Sequence, residues 1–272
     1  MAIDPLEGCD VVAFDLETTG ISTRRDRIVQ YAVIGADASG AAIDLDALVD
    51  PGMRIPAGAS RIHGILDADV RGAGRFIDHA DALHEALDGR VIVGHNVRSF
   101  DLPMLRSEYL RIGRTAPEPR AVLDTLEMTR RLRIPRPHNL GSLCARHQID
   151  LSEAHTASAD AAACLLLMWR FMRDHPARFR GAVEAIDHWL VHGDSAADGD
   201  MGPGLRDLPP LDPDGRIRID DDAHILAFGR HRGLSLTQVH AADPDYLRWL
   251  LSPGSVLDAA TIDVLRNLGH GE

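Results

Sequence analysis

The chain has 272 residues, 45% of them apolar and 26% charged, which suits a folded protein with one large core or a main domain plus a small one. No run approaches the roughly 20 apolar residues of a membrane span, and the opening MAIDPLEGCD lacks a basic region followed by an apolar one, so no membrane association and no signal peptide are expected. A net charge of −12 weighs against a nucleic-acid partner, but it is unevenly spread: residues 1–175 hold 25 acids and 20 arginines, whereas 176–222 hold 11 acids and 5 arginines. Cys9, Cys144 and Cys164 are odd in number and far apart, which excludes a disulfide framework and makes a reducing, cytoplasmic location the expectation.

The first element is the apolar run at Val11–Phe14, which continues into DLETTG. A strand alternates faces with period two, so Asp15 and Glu17 point the same way, and two adjacent carboxylates need a positive partner. RIVQYAVIGAD (27–37) and AAIDLDALVD (41–50) predict two further strands joined by a short turn, an antiparallel meander broken by PGMRIP. RFIDHADALHEALDG predicts a helix, and RVIVGHN (90–96), short and fully apolar, a central strand. SFDLPMLRSEYLRIG is a helix with Asp101 at its start, and AVLDTLEMTRRL begins as a strand and turns helical after Asp124, which is read as structural. NLGSLCARHQI is a short helix and TASADAAACLLLMWRFMRDH a long apolar one, with Asp160 in its first turns and His155 just ahead. Strands first, then strands alternating with helices, mean an α/β fold with a mixed sheet flanked by helices.

From about residue 191 the texture changes to Gly, Asp and Pro, a linker composition that implies a flexible tether, and the last fifty residues regain apolar content. The expected organisation is a main domain over 1–175, a helix end and acidic linker over 176–222, and a small module over 223–272.

Four carboxylates, Asp15, Glu17, Asp101 and Asp160, lie where elements begin or end. Converging on one point, they suit two divalent ions about 3.5–4 Å apart, the arrangement that serves phosphoryl transfer, and Mg2+ favours such oxygen donors. His155, with an ordinary pKa near ~6.5, suits proton removal from water. Five residues at about 100° each place it roughly 140° from Asp160 round a helix, so it belongs to the approach loop instead. Taken singly, each residue has a plainer explanation: Asp15 as a turn cap, Glu17 as an arginine partner, Asp101 as a helix cap, His155 as a surface residue.

DLETTG, HNVRSFDLPML and HTASAD resemble, in order and spacing, the three motifs of the DnaQ-like 3′–5′ exonucleases of the DEDDh branch, over roughly residues 8–173. The resemblance implies an RNase H-like fold, metal ions (Mg2+ or Mn2+) on Asp15, Glu17, Asp101 and Asp160, and His155 as general base. It further implies that Thr18 and His63, the latter in the loop RIHGI, touch the terminal nucleotide, with Asn96 and Phe100 shaping the site. The implied activity is release of nucleoside monophosphates from nucleic-acid 3′ ends, DNA ahead of RNA, with any replication or repair partner a separate chain. An exoribonuclease and an inactive nucleic-acid-binding factor are the alternatives. The tail LAFGRHRGLSLTQVHAADPDYLRWLL resembles the small C-terminal module of exodeoxyribonuclease X-type enzymes. Its turn at Gly229–Gly233 is basic and suited to phosphate, and Tyr246 and Trp249 are either core or stacking residues.

Overall fold

The computed structural model describes residues 4–151, 156–193, 208–220 and 223–268. They form two compact units, one of Met1–Leu132 with Leu140–Gly199, the other of Arg133–Asn139 with Asp200–Glu272.

The first unit is built on a five-stranded sheet. β1 (Val11–Thr18), β2 (Ile28–Ala36) and β3 (Ala42–Leu48) form the antiparallel meander, and β4 (Val91–Gly94) and β5 (Ala121–Asp124) run parallel to β1, in the order β3-β2-β1-β4-β5. Position in the sheet follows composition. The wholly apolar β4 is interior and buried throughout, whereas β3 alternates exposed Asp44 and Asp46 with half-buried Ile43 and Leu45, as an edge strand with one wet face should. Gly94 ends β4 because a side chain there would strike the Phe14 carbonyl and Val97.

Helices α2 (Phe76–Leu87) and α3 (Asp101–Arg111) cover one face, meeting Val12, Phe14 and Leu16 of β1 with Phe76, Leu83, Met104, Leu105 and Tyr109. By alternation, Val11, Ala13, Asp15 and Glu17 face the other side. There α6 (Ala157–Asp174) packs across β1, β2 and β4, capped at its start by Thr156. The short helices α4 (Thr125–Arg131) and α5 (Leu140–Arg146) complete that side. Among the described residues no helix is long and apolar enough to cross a membrane.

Three expectations are corrected. RIHGI is not a loop throughout: Ala57–His63 forms helix α1, closed by Gly64 in the left-handed region, and Ile55, Ile65 and Val70 pin the segment against Val29 of β2. The main domain does not end at 175. Val183–His192 forms helix α7 on β5, burying Val183, Ile186 and Leu190, while Asp187 accepts the Val122 N–H at 3.2 Å. The small module does not begin at 223. Leu208 is buried, Asp212 accepts the Ile217 N–H at 2.6 Å, and β6 (Ile217–Asp220) pairs antiparallel with β7 (Ala223–Leu226). The middle of the expected linker, 194–207, lies outside the described residues.

The second unit packs α8 (Leu236–Ala242), α9 (Pro244–Leu250) and α10 (Ala259–Asn267) against that strand pair around Ile217, Leu226, Leu236, Leu247, Leu250 and Leu265. Each helix opens on a side-chain cap, from Ser235, Asp243 and Asp258 respectively.

Candidate active site

β1 and β4 separate at their carboxyl ends. Their last paired residues are Ala13 and Val93, so residues 14–18 of β1 run on with that edge open. This is where parallel strands of an open sheet leave a crevice for ligands. A register irregularity between Glu17 and Thr18 bends the strand away.

Asp15 and Glu17 project into the crevice from the face that α6 covers, and Asp160 enters from the first turn of α6. One carboxylate oxygen from each of the three lies within 4.8 Å of the others. Asp101 is not in that triad. It opens α3, in the layer on the opposite face, and is almost fully buried, with the Leu16 N–H turned to its carboxylate. Its charge nevertheless reaches Asp15.

The electrostatics register the crowding. Burial first, then the charges of Asp101, Asp160 and Glu17, push Asp15 well above the carboxylate range. Burial and Asp160 push Glu17 up to about 7 from 4.5. Burial likewise raises Asp101, against the pull of its own backbone N–H. Cys164, one turn beyond Asp160 on α6, is buried, and burial with the charges of Asp15, Asp160, Asp124 and Asp101 holds its thiol well up. The fit to a divalent cation is good: every donor is a hard oxygen, three converge, and their mutual repulsion is what a cation removes.

The other expected site residues are distributed around this triad. The Thr18 hydroxyl donates to the Gly20 carbonyl at 2.7 Å. His63 is buried at the end of α1, where Nδ1 accepts the Ile65 N–H at 3.0 Å, leaving the proton on Nε2. That Nε2 has no hydrogen-bond partner among the described residues. Burial lowers the His63 pKa, and the nearby Thr18 carbonyl opposes the fall, so the two residues are neighbours. Asn96 occupies the left-handed region at φ 68°, and its carbonyl accepts the N–H groups of Ser99 and Phe100. Phe100 is half-buried and packs against the core that α2 and α3 share. His155 lies outside the described residues.

Asp124 is a fastening. Its buried carboxylate accepts the N–H groups of Asn96 (2.9 Å), Arg98 (3.1 Å), Leu126 (2.9 Å) and Glu127 (3.4 Å), capping α4 and tying down the loop that delivers Asp101. Two supports went unseen in the sequence. Arg98 pairs with Glu127 at 3.1 Å and Asp187 at 2.5 Å, joining that loop to α4 and α7. Glu108, buried on α3, takes a two-pronged contact from Arg27 at 2.7 and 2.9 Å. Partners 81 and 89 residues apart leave no local signal, beyond the presence of a Glu on an otherwise core-facing helix position.

A sheet of this order with acids at the open end of its central strand defines an RNase H-like nuclease fold. The family described as RNase_T exonuclease matches residues 12–168, and the chain belongs to this DnaQ-like 3′–5′ exonuclease family. Among curated proteins it is 31% identical over 170 residues to a PolC-type DNA polymerase III of Lacticaseibacillus paracasei, a match covering 62% of this chain and 12% of that protein. It is 32% identical over 165 residues to the corresponding Streptococcus pyogenes protein, covering 60% and 11%. The chain thus spans only about an eighth of these relatives. Among solved structures, the zinc-bound E. coli ExoI–ssDNA complex superposes with a TM-score of 0.56 at 24% identity, covering 68% of this chain and 43% of that one. This likeness shows the fold. The family match takes in Arg133–Asn139 of the second unit and ends before that unit's main part, residues 200–272.

Proposed function

We propose that the chain hydrolyses DNA from its 3′ end and releases nucleoside monophosphates. The observation that carries this reading is the oxygen triad of Asp15, Glu17 and Asp160, where burial and crowded charge push the carboxyls of Asp15 and Glu17 up, as suits a site built for a cation. With Asp101 adjoining, these residues would hold two divalent ions, Mg2+ or Mn2+. When bound, such ions stabilise charge on the phosphoryl oxygens and make water more acidic.

The chain's own residues supply orientation and proton transfer. The His63 Nε2–H is turned toward the Thr18 carbonyl, a donor that can be redirected to the terminal nucleotide. Asn96 and Phe100 border the position of the last base. His155 takes the proton from the attacking water, a role worth about 10²–10⁴-fold when the base is well positioned. Asp124 and Arg98 keep the 95–100 loop, and so Asp101, in register. DNA is preferred to RNA here because the curated relatives are DNA polymerases.

The test is incubation of purified chain with 5′-labelled single-stranded DNA and with RNA of the same sequence, in Mg2+, Mn2+ or chelator, with Asp15→Ala as control. Metal-dependent shortening of DNA one nucleotide at a time is expected. Shortening of RNA alone overturns the choice of substrate, and binding without cleavage overturns the enzymatic reading.

A further inference from the structure

The second unit carries a surface that its own fold does not use. Helix α9 buries Leu247 and Leu250, which satisfies its core face. Trp249 lies 200° and 100° round the helix from them at about 100° per residue, and it is 47% exposed. Its ring is 5.3 Å from that of Tyr246, one turn back, and the two form a tilted aromatic pair.

The turn after β7 is bent toward this pair by two glycines in the left-handed region, Gly229 (φ 66°) and Gly233 (φ 90°). A side chain at Gly229 would come within 2.8 Å of the Tyr246 hydroxyl, so the close approach requires glycine. Between the glycines stand Arg230, His231 and Arg232. The Arg230 guanidinium lies over the Tyr246 ring at 5.1 Å, and His231 meets the same ring edge-on at 4.8 Å. Asp243 locks the arrangement: it accepts from Arg230 at 2.6 Å and His231 at 2.9 Å, and it caps α9 through the Tyr246 N–H at 3.1 Å. Arg232 is exposed and makes no ion pair among the described residues, and Arg248 stands on α9 beside Trp249, paired with Asp245. Three guanidiniums against two carboxylates leave the patch net positive within a chain of net charge −12.

An exposed indole, packed at a tilt against a fixed tyrosine in a patch that carries three guanidiniums, matches one chemistry closely. A base has a π-face for the indole, and the phosphates on either side of it suit the arginines. An acidic protein partner would use the arginines and leave the indole without a planar partner.

We propose that the second unit binds single-stranded DNA, one base stacking on Trp249 and a flanking phosphate meeting Arg232. This rests on the exonuclease reading for the identity of the ligand, and gives the enzyme a DNA contact separate from its catalytic crevice. The test is fluorescence anisotropy of labelled oligo-dT on the full chain in chelator, at two salt concentrations. Trp249→Ala is expected to weaken Kd about tenfold, the loss of one stacked base, while Trp249→Phe keeps most of the affinity. Arg232→Ala lowers the salt slope by roughly 0.7, the share of one phosphate contact on a single strand. Metal-activated cleavage of a dinucleotide, too short to occupy two sites, stays at the wild-type rate in all three variants, and their melting midpoints are unchanged. Wild-type affinity in both Trp249→Ala and Arg232→Ala overturns this proposal while leaving the exonuclease reading intact. A wild-type chain that neither binds nor cleaves DNA overturns both.

Discussion

Glu17 shows how the site trades stability for chemistry. Its pKa, about 7 in the fold against 4.5 in a free side chain, means that the native state holds a proton the unfolded state has already lost. The Glu17 contribution to the stability of the metal-free protein therefore falls as pH rises from about 4.5 to 7, by an order of 3 kcal/mol at most, and levels off above. Urea unfolding in chelator across that range checks this, and Glu17→Gln should make the profile shallower. Adding Mn2+ at pH 8 should recover the loss, because the cation takes over the role of the proton. Asp15→Ala and Asp160→Ala should each lower kcat by at least about 10³-fold. His155→Ala should cost about 10²–10⁴-fold in kcat while calorimetric Mn2+ binding survives. At this scale the sequence was informative because the clues are local. Strand alternation alone puts Asp15 and Glu17 on one face. That Asp101 adjoins the triad from the opposite layer was not legible, because it depends on which layer α3 occupies.

Elements were readable where their periodicity was clean. The meander, β4 and α6 each carry an apolar pattern that admits one geometry. Helix α7 was missed because VEAIDHWLVH follows a proline-containing break and carries Asp187 and His188 mid-run, which looks like the fraying end of a domain. Only the fold shows that Asp187 faces inward, answering both Arg98 and the Val122 N–H. Helix α1 was missed because its seven residues include two alanines, a glycine and a serine, and its anchorage comes from neighbours outside it. If α7 is a working part of the first unit, Leu190→Ala, which truncates a fully buried side chain, should cost about 2–4 kcal/mol in urea unfolding. A surface helix on a tether would lose almost nothing. Because α7 meets Arg98, which anchors the loop delivering Asp101, the same variant should also weaken Mn2+ binding.

The whole molecule has an acidic balance concentrated in one segment, 176–222, so the chain's net charge says little about the crevice or the basic turn at 229–233. The second unit includes Arg133–Asn139, a passage that leaves the first unit between α4 and α5 and returns to it, and within that unit Arg136 forms an ion pair with Asp220. A polypeptide stitched in this way has no clean seam. Expressed from residue 208 onward, the tail would lack the strap that supplies the counter-ion of Asp220. Conversely, a full-length chain with a protease site engineered between 194 and 207 should still elute as one species after cleavage, its severed end retained without any covalent link.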